Sequence, residues 1–111
     1  MTEYKYKAHV TKVYDGDTIT VSIDCGFGIE LQKQKIRLYG INTPEVRGEE
    51  RELGIVSRDR LREKILDKDI ILETIKDKKG KYGRFLGIVH YDNININDWL
   101  VENGLAKKAN Y

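Results

Sequence analysis

The chain has one cysteine, one proline and two histidines, and each scarcity narrows what it can be. Cys25 alone cannot close an internal disulfide, and a cysteine-based zinc site is excluded with it. With only His9 and His90 besides, little supports a zinc hydrolase. The N-terminal Met-Thr-Glu-Tyr-Lys-Tyr-Lys is polar and lacks the apolar stretch of a signal peptide. No run is long enough to span a membrane, so a cytoplasmic protein is expected, with secretion open if a leader has been removed. Repeats, low-complexity runs and linkers are missing too, and 111 residues suit a single domain, 1–111. Charge is plentiful but balanced: 34% of residues are charged and the net charge is +2, which identifies no partner.

What is present is β-pattern. Tyr4 to Val13 is rich in β-branched and aromatic residues. Asp15-Gly16-Asp17 reads as a tight turn, and Thr18 to Ile23 alternates polar with apolar. A third strand, about Gln32 to Tyr39, puts Ile36 and Leu38 on one face and Lys33, Lys35 and Arg37 on the other. Pro44 stiffens the connection that follows. Glu50 to Leu66 reads as a helix with Leu53, Val56, Leu61 and Ile65 on its apolar stripe. Asp69 to Ile75 and Arg84 to Tyr91 are the fourth and fifth strands, joined by a basic loop, Lys76 to Gly83. Asn97 is the expected N-cap of a short helix carrying Trp99 and Leu100 into the core, with Gly104 as its stop. This order fits a mainly β, α+β architecture. It is a five-stranded OB-type barrel with a helix between strands 3 and 4 and a short C-terminal helix. A small α+β sandwich is the alternative.

Three clusters stand out, each with an ordinary reading beside the chemical one. Asp-Gly is a common turn, which accounts for Asp15 and Gly16. Asp17, however, shares its face with Ile19, Val21 and Ile23, and an inward carboxylate needs a partner or a metal. Asn42 and the Thr43 carbonyl are hard oxygen donors suited to Ca²⁺ or Mg²⁺, and Glu45 could serve as a general base on water. Alone, Asn-Thr-Pro is an ordinary turn and Glu45 an exposed acid. Lys76, Lys78, Lys79, Lys81 and Arg84 enclose Tyr82, which reads either as a solvated hairpin tip or as a surface for a phosphate backbone and a stacked base.

Taken in order, Asp15-Gly16-Asp17-Thr18, Ile36 through Glu45, Lys81-Tyr82-Gly83-Arg84 and Asn103 through Lys107 resemble the staphylococcal nuclease family over nearly the whole chain. The resemblance implies one OB-fold nuclease domain that hydrolyses DNA and RNA with little sequence preference. Ca²⁺ is the implied cofactor, with Mg²⁺ possible. It implies Asp17, Asn42 and Thr43 as metal ligands and Asp15 as an acid behind them. Glu45 would be the base, and Arg37 and Arg84 the clamp on the phosphate. Lys78 and Lys79, on the basic loop, and Lys81 and Tyr82, which match residues flanking the family's nucleotide site, are read as nucleic-acid-binding. Val46 to Glu52 would be a loop beside the site. Two departures are visible. Asn42 replaces a charged ligand with a neutral one. The family's C-terminal helix has no counterpart before Tyr111, where Asn110 or Tyr111 would stand in for pocket tyrosines. A monomer is expected, and the competing function is a non-catalytic nucleic-acid-binding OB module.

Overall fold

A computed structural model describes residues 4–79 and 85–109. β1 (Tyr4–Asp15), β2 (Thr18–Asp24) and β3 (Glu30–Leu38) form an antiparallel meander. β5 (Asp69–Lys79) pairs antiparallel with the other edge of β1 and with β6 (Phe85–Tyr91). Parallel pairing of Ile36–Leu38 with Phe85–Gly87 joins β3 to β6 and closes five strands into a barrel. Two bulges in β1 and one between β2 and β3 supply the extra bend that closure demands. This is the OB architecture, with α1 (Arg51–Ile65) between β3 and β5 and α2 (Ile96–Glu102) after β6.

Alternation explains the core. Val10 and Val13 of β1, Ile19 and Val21 of β2, Ile36 and Leu38 of β3, Leu72 of β5 and Val89 of β6 are all fully buried or nearly so. Leu61 and Ile65 of α1 and Ile96 and Leu100 of α2 join them. Trp99 packs only partly against this core, and Arg60 and Lys64 lie over its ring. No helix among the described residues is long and apolar enough to cross a membrane.

Several elements depart from the sequence reading. The buried side of α1 is Gly54, Ser57, Leu61 and Ile65, while Leu53 and Val56 are 63% and 51% exposed. The spacing is helical in both sets. The first half of the helix lies too close to the chain before it to admit large residues, so its bulky apolar side chains turn outward. α2 is capped by Asn95, whose side chain accepts from the Asp98 N–H. Asn97 is instead 3% exposed: it accepts from Val89 N–H and donates to the carbonyls of Tyr39 and Gly87. That fork pins α2 to β6 and to the end of β3. Residues 76–79, read as loop, continue β5. Part of 46–52, expected as a loop, is a 3₁₀ turn (Gly48–Glu50) leading into α1. Ile41–Asn42 forms a short strand, β4. β7 (Ile94–Asn95) and β8 (Lys107–Lys108) complete the count, and β4 pairs with β8. Two-residue strands carry no periodic signal.

Candidate active site

The β1–β2 turn sets the site. Gly16 sits where a Cβ would lie 2.8 Å from Thr43 Cγ2 and 2.9 Å from Ser57 Cβ, so the turn packs tightly under both. The following residue, Asp17, shares the buried side of Ile19 and Val21 and is 8% exposed. Its Oδ2 accepts the Thr43 N–H at 3.1 Å, and its Oδ1 accepts the Thr18 hydroxyl at 3.2 Å. Arg37 of β3 places Nη2 3.4 Å from Asp17 Oδ2 and donates from the same nitrogen to Asn42 Oδ1 at 2.5 Å. Its Nη1 donates to the Leu38 carbonyl at 2.7 Å, which fixes the plane of the guanidinium. Arg37 therefore bridges Asp17 and Asn42. Asp15 Oδ1 accepts the Asp17 N–H at 3.1 Å. Burial, with the Asp17 carboxylate beside it, pushes Asp15 from 3.8 up to about 6.

Asp15, Asp17, Arg37, Asn42 and Thr43 thus share one cluster at the end of the barrel. Thr43 is tied to the cluster through its N–H, which donates to Asp17 Oδ2. β4–β8 pairing holds Asn42 opposite Lys107. Glu45 lies two residues beyond Thr43 with an exposed side chain and its backbone carbonyl against Gly54. Arg47 donates to the Tyr14 hydroxyl at 3.0 Å and ties this segment to the end of β1. Lys81, Tyr82 and Arg84 lie outside the described residues, as do Asn110 and Tyr111. Lys78 and Lys79 fall in β5, with only their backbone described.

A model of the family described as staphylococcal nuclease homologue matches residues 35–111. The chain belongs to the staphylococcal nuclease family. A thermonuclease of Staphylococcus hyicus is 31% identical over 98% of this chain and 62% of its own length. An uncharacterized endonuclease of Haemophilus influenzae is 31% identical over 92% of this chain and 52% of its own. An uncharacterized protein of Methanocaldococcus jannaschii is 28% identical over 96% and 60%. The chain therefore spans roughly half to three fifths of the length of these relatives. The family match takes in Arg37, Asn42, Thr43, Glu45 and Arg84. The two aspartates of the β1–β2 turn precede it and fall within the longer alignment to the S. hyicus protein.

For a family member, the donor set bears on the metal. Asp15, Asp17 and Asn42 offer only oxygen, which fits a hard cation and not a soft one. Among the described residues no group of three or more His, Cys, Asp or Glu side chains converges on a metal position. A cation here would be held by few charges. Gly54 and Ser57, which pack against the site, are not singled out by the sequence reading. Their signal was available: Gly54 and Ser57 are small residues three apart on a helix, in register with Leu61 and Ile65.

Proposed function

We propose that this chain is a metal-dependent phosphodiesterase acting on DNA and RNA strands with little sequence preference, with Ca²⁺ preferred and Mg²⁺ accepted. The observation that carries this reading is the cluster Asp17–Arg37–Asn42. An acid and a guanidinium, each side chain 11% exposed, are fixed by hydrogen bonds at the end of an OB barrel. The nuclease names of two relatives support it.

In this reading Asp17 and Asn42, with a backbone oxygen of Thr43, would hold the cation. Asp15 orients Asp17 through its backbone N–H. A hard cation supplies charge neutralisation at a phosphate oxygen and raises the electrophilicity of phosphorus. Glu45 takes a proton from water as the water oxygen bonds to phosphorus. Arg37 and Arg84 donate to the equatorial oxygens as negative charge builds there. The bond from phosphorus to the 5′ oxygen breaks, that oxygen takes up a proton from solvent water, and the products are a 3′-phosphate and a 5′-hydroxyl. Lys78, Lys79, Lys81 and Tyr82 are assigned to the strand flanking the scissile phosphate.

Degradation of labelled single-stranded DNA and RNA is followed with Ca²⁺, with Mg²⁺ and with chelator, for the native chain and for Glu45→Gln. Cleavage should require the divalent ion, and Glu45→Gln should lose about 10²-fold or more in turnover while keeping strand binding. Undiminished cleavage in chelator would end the metal mechanism. Tight binding without cleavage under any ion would make the chain a binding module.

A further inference from the structure

Gly54, the fourth residue of α1, is buried against the segment that carries Glu45. A Cβ at this position would overlap the Glu45 carbonyl group and lie 2.8 Å from the Val46 nitrogen. These are backbone atoms, so no rotamer change relieves the overlap, and the segment itself would have to move. Backbone conformation does not call for glycine here, since Gly54 is not among the glycines with positive φ. In a helix interior glycine costs about 1 kcal/mol relative to alanine. A glycine that weakens its helix without conformational need is explained by the close approach it permits.

The same seam continues along the helix. Ser57, one turn on, packs its Cβ over Gly16 and donates its hydroxyl to the Leu105 carbonyl at 2.7 Å. Thr43 packs on Gly16 beside it. The β1–β2 turn, the Pro44 segment and α1 are therefore stacked through residues with little or no side chain.

We infer that Gly54 is a positioning residue: it seats the Glu45 backbone on α1 and so sets the reach of the Glu45 carboxylate toward the cluster around Asp17. The inference rests on the reading of Glu45 as the base. A side chain at 54 lifts that backbone, and misplacement of a catalytic group by about 1 Å can cost roughly 10²-fold in rate.

The test compares kcat and KM, per folded molecule, for Gly54→Ala, Glu45→Gln and the double variant of the full chain. Gly54→Ala should lower kcat about tenfold or more with KM changed by less than about threefold. In the Glu45→Gln background it should cost nothing further, because both changes remove one interaction. Gly54→Ala with kcat within about twofold of native, or with the same loss in the presence of Glu45→Gln, would overturn the inference. Glu45→Asp tests it at an exposed residue whose change does not threaten folding. A seated backbone cannot follow a carboxylate shortened by one methylene, so turnover should fall to within about threefold of Glu45→Gln. Near-native turnover of Glu45→Asp would mean that the segment moves freely and Gly54 seats nothing. Normal turnover of Glu45→Gln would remove the base itself, an outcome separate from full activity in Gly54→Ala alone.

Discussion

At its C-terminal end α1 buries Leu61 and Ile65 completely in the barrel core, whereas at its N-terminal end it turns Gly54 to the segment bearing Glu45 and Ser57 to the β1–β2 turn. One helix thus meets the molecule through large side chains at one end and through almost none at the other. The large end removes apolar surface from water, and each such side chain contributes roughly 1.5–3 kcal/mol by burial. The small end contributes little of this kind. What it gains is distance: backbone lies against backbone, and the site turn is packed to within van der Waals contact. Stability and placement are divided along a single helix. Arg62, next to Leu61 in the large-residue end, donates Nε and Nη2 to the Val13 carbonyl at 3.2 and 3.0 Å and fixes the helix to the end of β1.

The largest effect should come from the core end. Leu61→Ala removes a fully buried side chain surrounded by the barrel and should cost about 2–5 kcal/mol. Denaturant unfolding measures the loss, and strand cleavage per folded molecule should stay near native. A cost below about 1 kcal/mol, or a collapse of turnover in the folded fraction, would break the division between the two ends.

Ser57→Ala comes next. It keeps the Cβ that packs over Gly16, so the spacing of the seam is retained, but it leaves the buried Leu105 carbonyl without the Ser57 donor. About 1–2 kcal/mol should be lost in the same unfolding measurement, with turnover within about twofold of native. If stability is untouched, the Ser57 bond to Leu105 holds nothing, and contact distance alone defines the seam.

The same division decides what could be read from the chain. Alternation placed Ile19, Val21, Ile36 and Leu38 inside because large apolar residues at period two report burial directly. Parity placed Asp17 on the buried side for the same reason. Hydrophobic pattern misplaced the N-terminal half of α1, since glycine and serine carry no apolar signal and the neighbouring Leu53 and Val56 do. Asn97 reads as a cap in sequence because its true partners, Val89 and Gly87 of β6 and Tyr39 just after β3, are distant from it along the chain. Within the site, the bond from Arg37 to Asn42 spans five residues, whereas that from Thr43 to Asp17 spans 26. The longer one depends on closure of the barrel and on how closely α1 approaches the turn. No local pattern contains it.

The smallest effect should come from Asp15, and its sign is opposite. The site end concentrates two carboxylates, Asp15 and Asp17, in one turn, and burial raises Asp15 from 3.8 to about 6. Near pH 3.5 and below the carboxyl is mostly protonated in both folded and unfolded chains and contributes little to the difference. Between about 4 and 6 the unfolded chain releases the proton while the folded chain keeps it, so stability falls as pH rises. Above 6 the full penalty is present. Asp15→Asn removes the ionisation and keeps an amide oxygen able to accept the Asp17 N–H. Because Asp15 is partly open to solvent, the gain should be only about 1 kcal/mol. Unfolding midpoints in chelator, for both forms at pH 7 and pH 3.5, give the answer, since titrating groups remote from Asp15 and Asp17 cancel in the difference. Asp15→Asn should be the more stable form at pH 7 and equal to native at pH 3.5. An equal gain at both values would trace the effect to packing, and no gain at pH 7 would show that the turn carries its two charges without cost to the fold.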